Sequence, residues 1–176
     1  MCGSKPRRDA ALSPRLRVHK RPSLVGMVAA TILGICLWGA SAMAVDGLIT
    51  VPSSFGAKDT ADRLESEITA RGLTVFARVD HAAGATQVGL PLRPTEVLIF
   101  GNAKGGTPLM QSDQRVGIDL PLKALVWEDS DGKTWLSYND PKWIAARHGL
   151  GDDTSRVVEA LAAALAAVAR AATERP

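Results

Sequence analysis

Residues 22–45 form an uncharged run of 24, preceded by a basic, proline-containing stretch and closing on Ala42-Met43-Ala44. A run of that length and polarity cannot sit on the outside of a water-soluble fold, so it divides the chain in two. A positive start, an apolar middle centred on Leu24–Trp38 and small residues at 42 and 44 follow the order of a secretory signal peptide. The expectation is a leader over 1–44 with cleavage after Ala44, and a single domain over 45–176 that is periplasmic or secreted. About 20 apolar residues also suffice to span a bilayer. The competing expectation is therefore an uncleaved anchor, with the membrane touched only through that leader. Arg7-Arg8 suggests twin-arginine export, but Asp9-Ala-Ala-Leu12 continues it poorly. Ile35 before Cys36 is too bulky for a lipoprotein signal.

The division changes what the charge means. Of 21 Lys and Arg, seven lie in residues 1–44 against Asp9 alone, which leaves 14 cations and 17 anions for residues 45–176. The basic pI of the chain, near 9.1, belongs to the leader, and the acidic remainder speaks against nucleic acid as a partner. Both cysteines, Cys2 and Cys36, are in the leader as well. The domain is left with no disulfide, thiol nucleophile or thiolate metal site.

Within the domain, Leu48–Val51 reads as a strand stopped by Pro52. Ala57–Arg71 reads as a helix with Ala61, Leu64 and Ile68 on one face, and Asp59/Arg63 and Arg63/Glu67 are spaced for ion pairs. Gly72 is placed to end it in the left-handed region. Residues 73–81 alternate, with Leu73, Val75, Ala77 and Val79 expected on one side. Thr95–Phe100 is a third strand. Gly101–Gln114, with its glycines and Pro108, reads as a loop. Leu122–Glu128 and Lys133–Tyr138 flank an Asp129–Gly132 hairpin turn. A short helix starts at Asn139-Asp-Pro141 and runs through Ala146. A last helix begins at Asp152 or Asp153, with Val158, Leu161, Leu165 and Val168 as its apolar stripe. One helix between strands excludes a doubly wound fold. The order predicts an α+β protein, β-α-β4-α, with an antiparallel sheet and helices on one face.

Chemistry is sparser. His81 and His148 lack any HxH, HxxxH or HExxH spacing, so no metal is assigned, and no cofactor is called for. Lys104 precedes the paired glycines of Gly101-Asn-Ala-Lys-Gly-Gly-Thr107 instead of following them, which is not the phosphate-loop order. No GxSxG elbow occurs. Trp127, Trp135, Tyr138 and Trp143 read as core or interface.

Asp80-His-Ala-Ala-Gly-Ala85, Leu92-Arg-Pro-Thr95, Ile99-Phe-Gly-Asn102, Gly106-Thr-Pro-Leu-Met110, Gly117-Ile-Asp-Leu-Pro-Leu-Lys123 and Tyr138-Asn-Asp-Pro141 form a set of motifs. In these the chain resembles the domain of unknown function 302 family over roughly residues 46–172. The resemblance implies a TBP-like β-α-β4-α fold and a homodimer, and no established activity. The candidate ligand site is a pocket for an anionic small molecule. It holds His81, Asn102, Lys104 and Thr107, with Asp119, Tyr138 and His148 around it. The alternative is an enzyme with His81 as general base and Lys104 and Asn102 as charge stabilisers. A third reading is a purely structural dimer.

Overall fold

The computed structural model describes residues 46–175, so the expected leader, the expected cleavage after Ala44 and both cysteines lie outside the described residues. Five strands form one fully antiparallel sheet in the order β1-β5-β4-β3-β2. They are β1 (Leu48–Pro52), β2 (Thr74–Asp80), β3 (Thr95–Gly101), β4 (Leu122–Glu128) and β5 (Thr134–Asn139). Five α-helices join them: α1 (Ala57–Ala70), α2 (His81–Gln87), α3 (Ala103–Ser112), α4 (Pro141–Arg147) and α5 (Ser155–Thr173). The expected α+β order is present, with α2 and α3 added between strands.

Registers fix which face is covered. Leu98 pairs with Ala124 and Phe100 with Leu122, while Val126 pairs with Leu136 and Ala124 with Tyr138. All of these are buried against Ala61, Leu64 and Ile68 of α1 and Val158, Leu165 and Val168 of α5. The residues between them, Val97, Ile99, Leu125, Trp127 and Trp135, point to the opposite face, which is only half-buried. Trp127 and Trp135 stack there at 6.2 Å. Their indole nitrogens donate to Ser137 Oγ and Asp129 Oδ2 at 2.9 and 2.7 Å.

The expected alternation of β2 fails at a bulge. Val75 opposes Phe100 but Ala77 already opposes Ile99, so Phe76 is an extra residue. Val75 and Arg78 then share the helix face, and Ala77 and Val79 the open one. Such an insertion re-aims a side chain. It leaves Phe76 58% exposed. Arg78 reaches α1, donating to Asp62 and Glu65, and donates also to Glu96 of β3. The Glu96 bond is the foremost reason its guanidinium is held charged beyond its usual range.

The Arg63 pairs expected within α1 do not form. Its guanidinium donates to the carbonyls of Ala171, Ala172 and Glu174 and lies 4.2 Å over the Phe55 ring. Ion pairs on α1 link Lys58 to Asp62 and Glu67 to Arg71 instead. The last helix also starts later than expected. Asp152–Thr154 make a 3₁₀ turn, and α5 begins at Ser155.

Candidate functional site

Residues 101–114, expected to be a loop, are mostly helix. Asn102 has extended backbone angles and its Oδ1 accepts from Gly105 N at 2.8 Å, an N-cap that starts α3 despite two glycines and Pro108. Leu109 anchors the helix in the core. Its first turn thereby closes one end of a cavity of about 320 Å³.

That cavity lies between α3, α5 and the ends of β2, β3 and β4. Phe100, Leu122, Leu165 and Val168 form its buried wall. Phe76, Asn102, Ala103 and Ala164 edge it and are exposed. Leu161, Met110 and Leu120 line its sides. A methyl group on Gly105 would lie 3.2 Å from Leu161 Cδ2, and one on Gly106 would lie 3.5 Å from Leu120 Cδ1. Gly105 therefore lets α3 sit close against Leu161, whereas a methyl on Gly106 would make only ordinary contact with Leu120. Asn102 is the one polar side chain in the lining.

Of the residues singled out from the sequence, Asn102 lines this cavity and Lys104 lies in the same helical turn. Thr107 is exposed farther along α3. His81 is elsewhere. It is the first residue of α2, whose cap is Asp80, and Asp80 pairs with Glu96 while Thr74 pairs with Gly101. His81 and Asn102 thus follow opposite ends of the β2–β3 ladder. Six residue steps put them about 20 Å apart. One pocket cannot hold both, and His81 cannot act as a base on a molecule held by Asn102 and Lys104. Tyr138 belongs to the core, where burial pushes its hydroxyl pKa up.

Asp119 and His148 form a pair of their own. Asp119 Oδ2 and His148 Nε2 are 2.6 Å apart, with the side chains 12% and 10% exposed, and Arg147 donates to Asp119 Oδ1 at 3.2 Å. The pair ties the end of α4 to the segment that leads into β4. Nearby, Arg115 holds the Asp113 carboxyl at about 2 by hydrogen bonds. Sequence reasoning named Asp119 and His148 separately, and their spacing of 29 positions carries no signal of contact. The cavity wall was hidden for another reason. Leu161, Leu165 and Val168 read as an ordinary helical stripe, and Phe76 faces the cavity only because of the bulge. Among the described residues, no three of His, Cys, Asp and Glu are grouped to hold a metal ion.

The family model "Domain of unknown function DUF302" matches residues 49–168. The chain belongs to the DUF302 family. Its fold is similar to that of an uncharacterized conserved DUF302 protein from Bacillus stearothermophilus in a crystal structure. That likeness has a TM-score of 0.65 at 21% identity and covers 73% of this chain and 99% of the other. Over 115 of its residues the chain also resembles proteins named fluoride-specific ion channel FluC 1. In Brucella suis biovar 1 (strain 1330) the identity is 48% over 115 residues, which is 65% of this chain and 45% of the relative. In Brucella abortus biovar 1 (strain 9-941) it is 48%, covering 65% and 43%. The chain spans less than half the length of these curated relatives. Among the described residues no helix is long and apolar enough to cross a membrane.

Proposed function

We propose that this DUF302 chain is an exported domain that binds a small molecule in the cavity between α3 and α5, and that it works as a homodimer. The observation that carries the ligand reading is the cavity itself. Clefts of roughly 300 Å³ or more with mostly apolar walls and a few polar groups are the usual form of small-molecule sites. Here a half-open apolar wall is edged by Asn102, on the first turn of a helix whose Gly105 lets it pack close to Leu161 of that wall. A neutral fluorophore such as N-phenyl-1-naphthylamine should bind once per chain. Ala164→Trp should remove that binding while shifting the melting temperature by no more than a few degrees. Undiminished binding by the variant would place the fluorophore outside the cavity.

Export is supported by the order of residues 1–44. N-terminal sequencing of protein recovered from the periplasm should return Val45, and a Met1 start in a detergent-only fraction would identify an anchor instead.

Pairing of two copies is supported by the uncovered sheet face. Val97, Ile99, Leu125 and the stacked tryptophans make it apolar, Val79 adds an exposed apolar side chain on β2, and the connection from α2 to β3 exposes Val88, Leu90 and Leu92. An apolar surface of that extent marks an interaction site, and a two-fold dimer covers it with its own copy. Sedimentation at micromolar concentration should give the dimer mass for the natural chain and the monomer mass for Leu125→Lys. A natural chain that sediments only as monomer refutes the pairing.

A further inference from the structure

We infer that the cavity takes an anionic amphiphile, a medium-chain carboxylate of about ten carbons, which rests on the ligand-binding reading above. The buried wall of Phe100, Leu122, Leu165 and Val168 has no side chain that can donate or accept a hydrogen bond. A polar group pushed against it would be desolvated without compensation, so the inner part of the ligand is hydrocarbon. Size sets its length. An apolar protein cavity of about 150 Å³ accepts benzene, and the volume here, about 320 Å³, is roughly double that. A chain of about ten carbons fills it.

The edge requires a different chemistry from the wall. Asn102 Oδ1 is committed to Gly105 N, which leaves its amide nitrogen as a donor at the rim. Lys104 does not line the cavity, but it is exposed two positions after Asn102 in the same turn. Its flexible side chain thus carries a positive charge within one helical turn of that rim, and among the described residues it makes no hydrogen bond or ion pair. Donor and cation together fit a carboxylate held at the surface while its chain points inward. The arrangement separates this ligand from a neutral hydrocarbon, which needs neither group, and from a small inorganic anion, which has no use for the wall.

Titration calorimetry of the purified chain with hexanoate, octanoate, decanoate, dodecanoate and 1-decanol tests the assignment. Each methylene added up to decanoate should tighten binding about fourfold, and dodecanoate should gain nothing further. Decanol should bind several-fold more weakly than decanoate at low salt, a difference of the size expected of an exposed charge pair. Lys104→Ala should abolish that difference. Ala164→Trp should abolish binding of the whole series, with Leu161→Trp as a second block should the first variant fold poorly. Equal affinity for decanol and decanoate in the natural chain, with binding still lost in Ala164→Trp, would overturn the anionic assignment and leave the cavity as a ligand site. Affinity that keeps rising from decanoate to dodecanoate and survives both tryptophan variants would overturn the cavity reading as well.

Discussion

Leu98→Ala is expected to lower the unfolding free energy by about 2–5 kcal/mol, the range measured for removing a large aliphatic side chain from a packed core. Leu98 is 0% exposed, pairs with Ala124 on the strand next to the sheet centre, and faces α1 and α5. Nothing adjacent can collapse into the space, because Ala124 has only a methyl group to offer and Leu64 and Ile68 are themselves fully buried. The loss is a large share of a domain stability of about 5–15 kcal/mol. Urea unfolding should show the midpoint falling at unchanged slope. Leu92→Ala supplies the contrast, since Leu92 is 49% exposed and its truncation should change stability by less than about 0.5 kcal/mol. A Leu98→Ala loss below about 1 kcal/mol would mean that the sheet face described as core is not packed as described.

Gly47→Ala is expected to cost about 2–5 kcal/mol, in two separable parts. Gly47 has φ +74°, which an alanine pays about 1–2 kcal/mol to adopt. A methyl there would also lie 2.3 Å from the Trp143 ring carbons. Displacing that ring adds an overpacking cost of about 1–3 kcal/mol. Gly72 separates the two parts, because it has φ +71° and open space around a would-be methyl. Gly72→Ala should therefore show the backbone cost alone. In a double-mutant cycle, Trp143→Ala should relieve the packing share of Gly47→Ala and leave the backbone share in place. Additivity of Gly47→Ala and Trp143→Ala would show that the ring does not meet residue 47.

The strands and the two long helices were legible because their apolar periodicity coincides with burial. Ala61, Leu64 and Ile68 recur at helical spacing and are the buried face of α1. The short helix at Pro141 was equally legible, since Asp140 caps it and proline occupies its first turn. What failed was local propensity set against tertiary context. Glycines 105 and 106 and Pro108 argue for a loop, but one side-chain cap at Asn102 and the burial of Leu109 outweigh them. Residues 81–87 carry no buried side chain at all, so periodicity had nothing to report there, and the Asp80 cap was the only signal. The candidate site suffered most from position. Placing His81 beside Asn102 needs both at one end of a strand pair, and only the register of β2 on β3 shows that they sit at opposite ends.

The sheet order also dictates when this chain can fold as it is made. β1 lies beside β5, Ser54 N donates to the carbonyl of Thr173, and Arg63 grips the carbonyls of Ala171, Ala172 and Glu174. Among the described residues, β1 and α1 thus have partners in β5 and α5, far along the chain from them. A nascent polypeptide that has emerged only through β4 can pair β2, β3 and β4 against α1, but β1 has no strand to pair with until β5 is made. The side of α1 that packs on α5 stays uncovered until α5 is made. The same dependence makes a stop before Ser155 costly, since β1 can still pair with β5 but α1 and the inner sheet face lose the cover of α5.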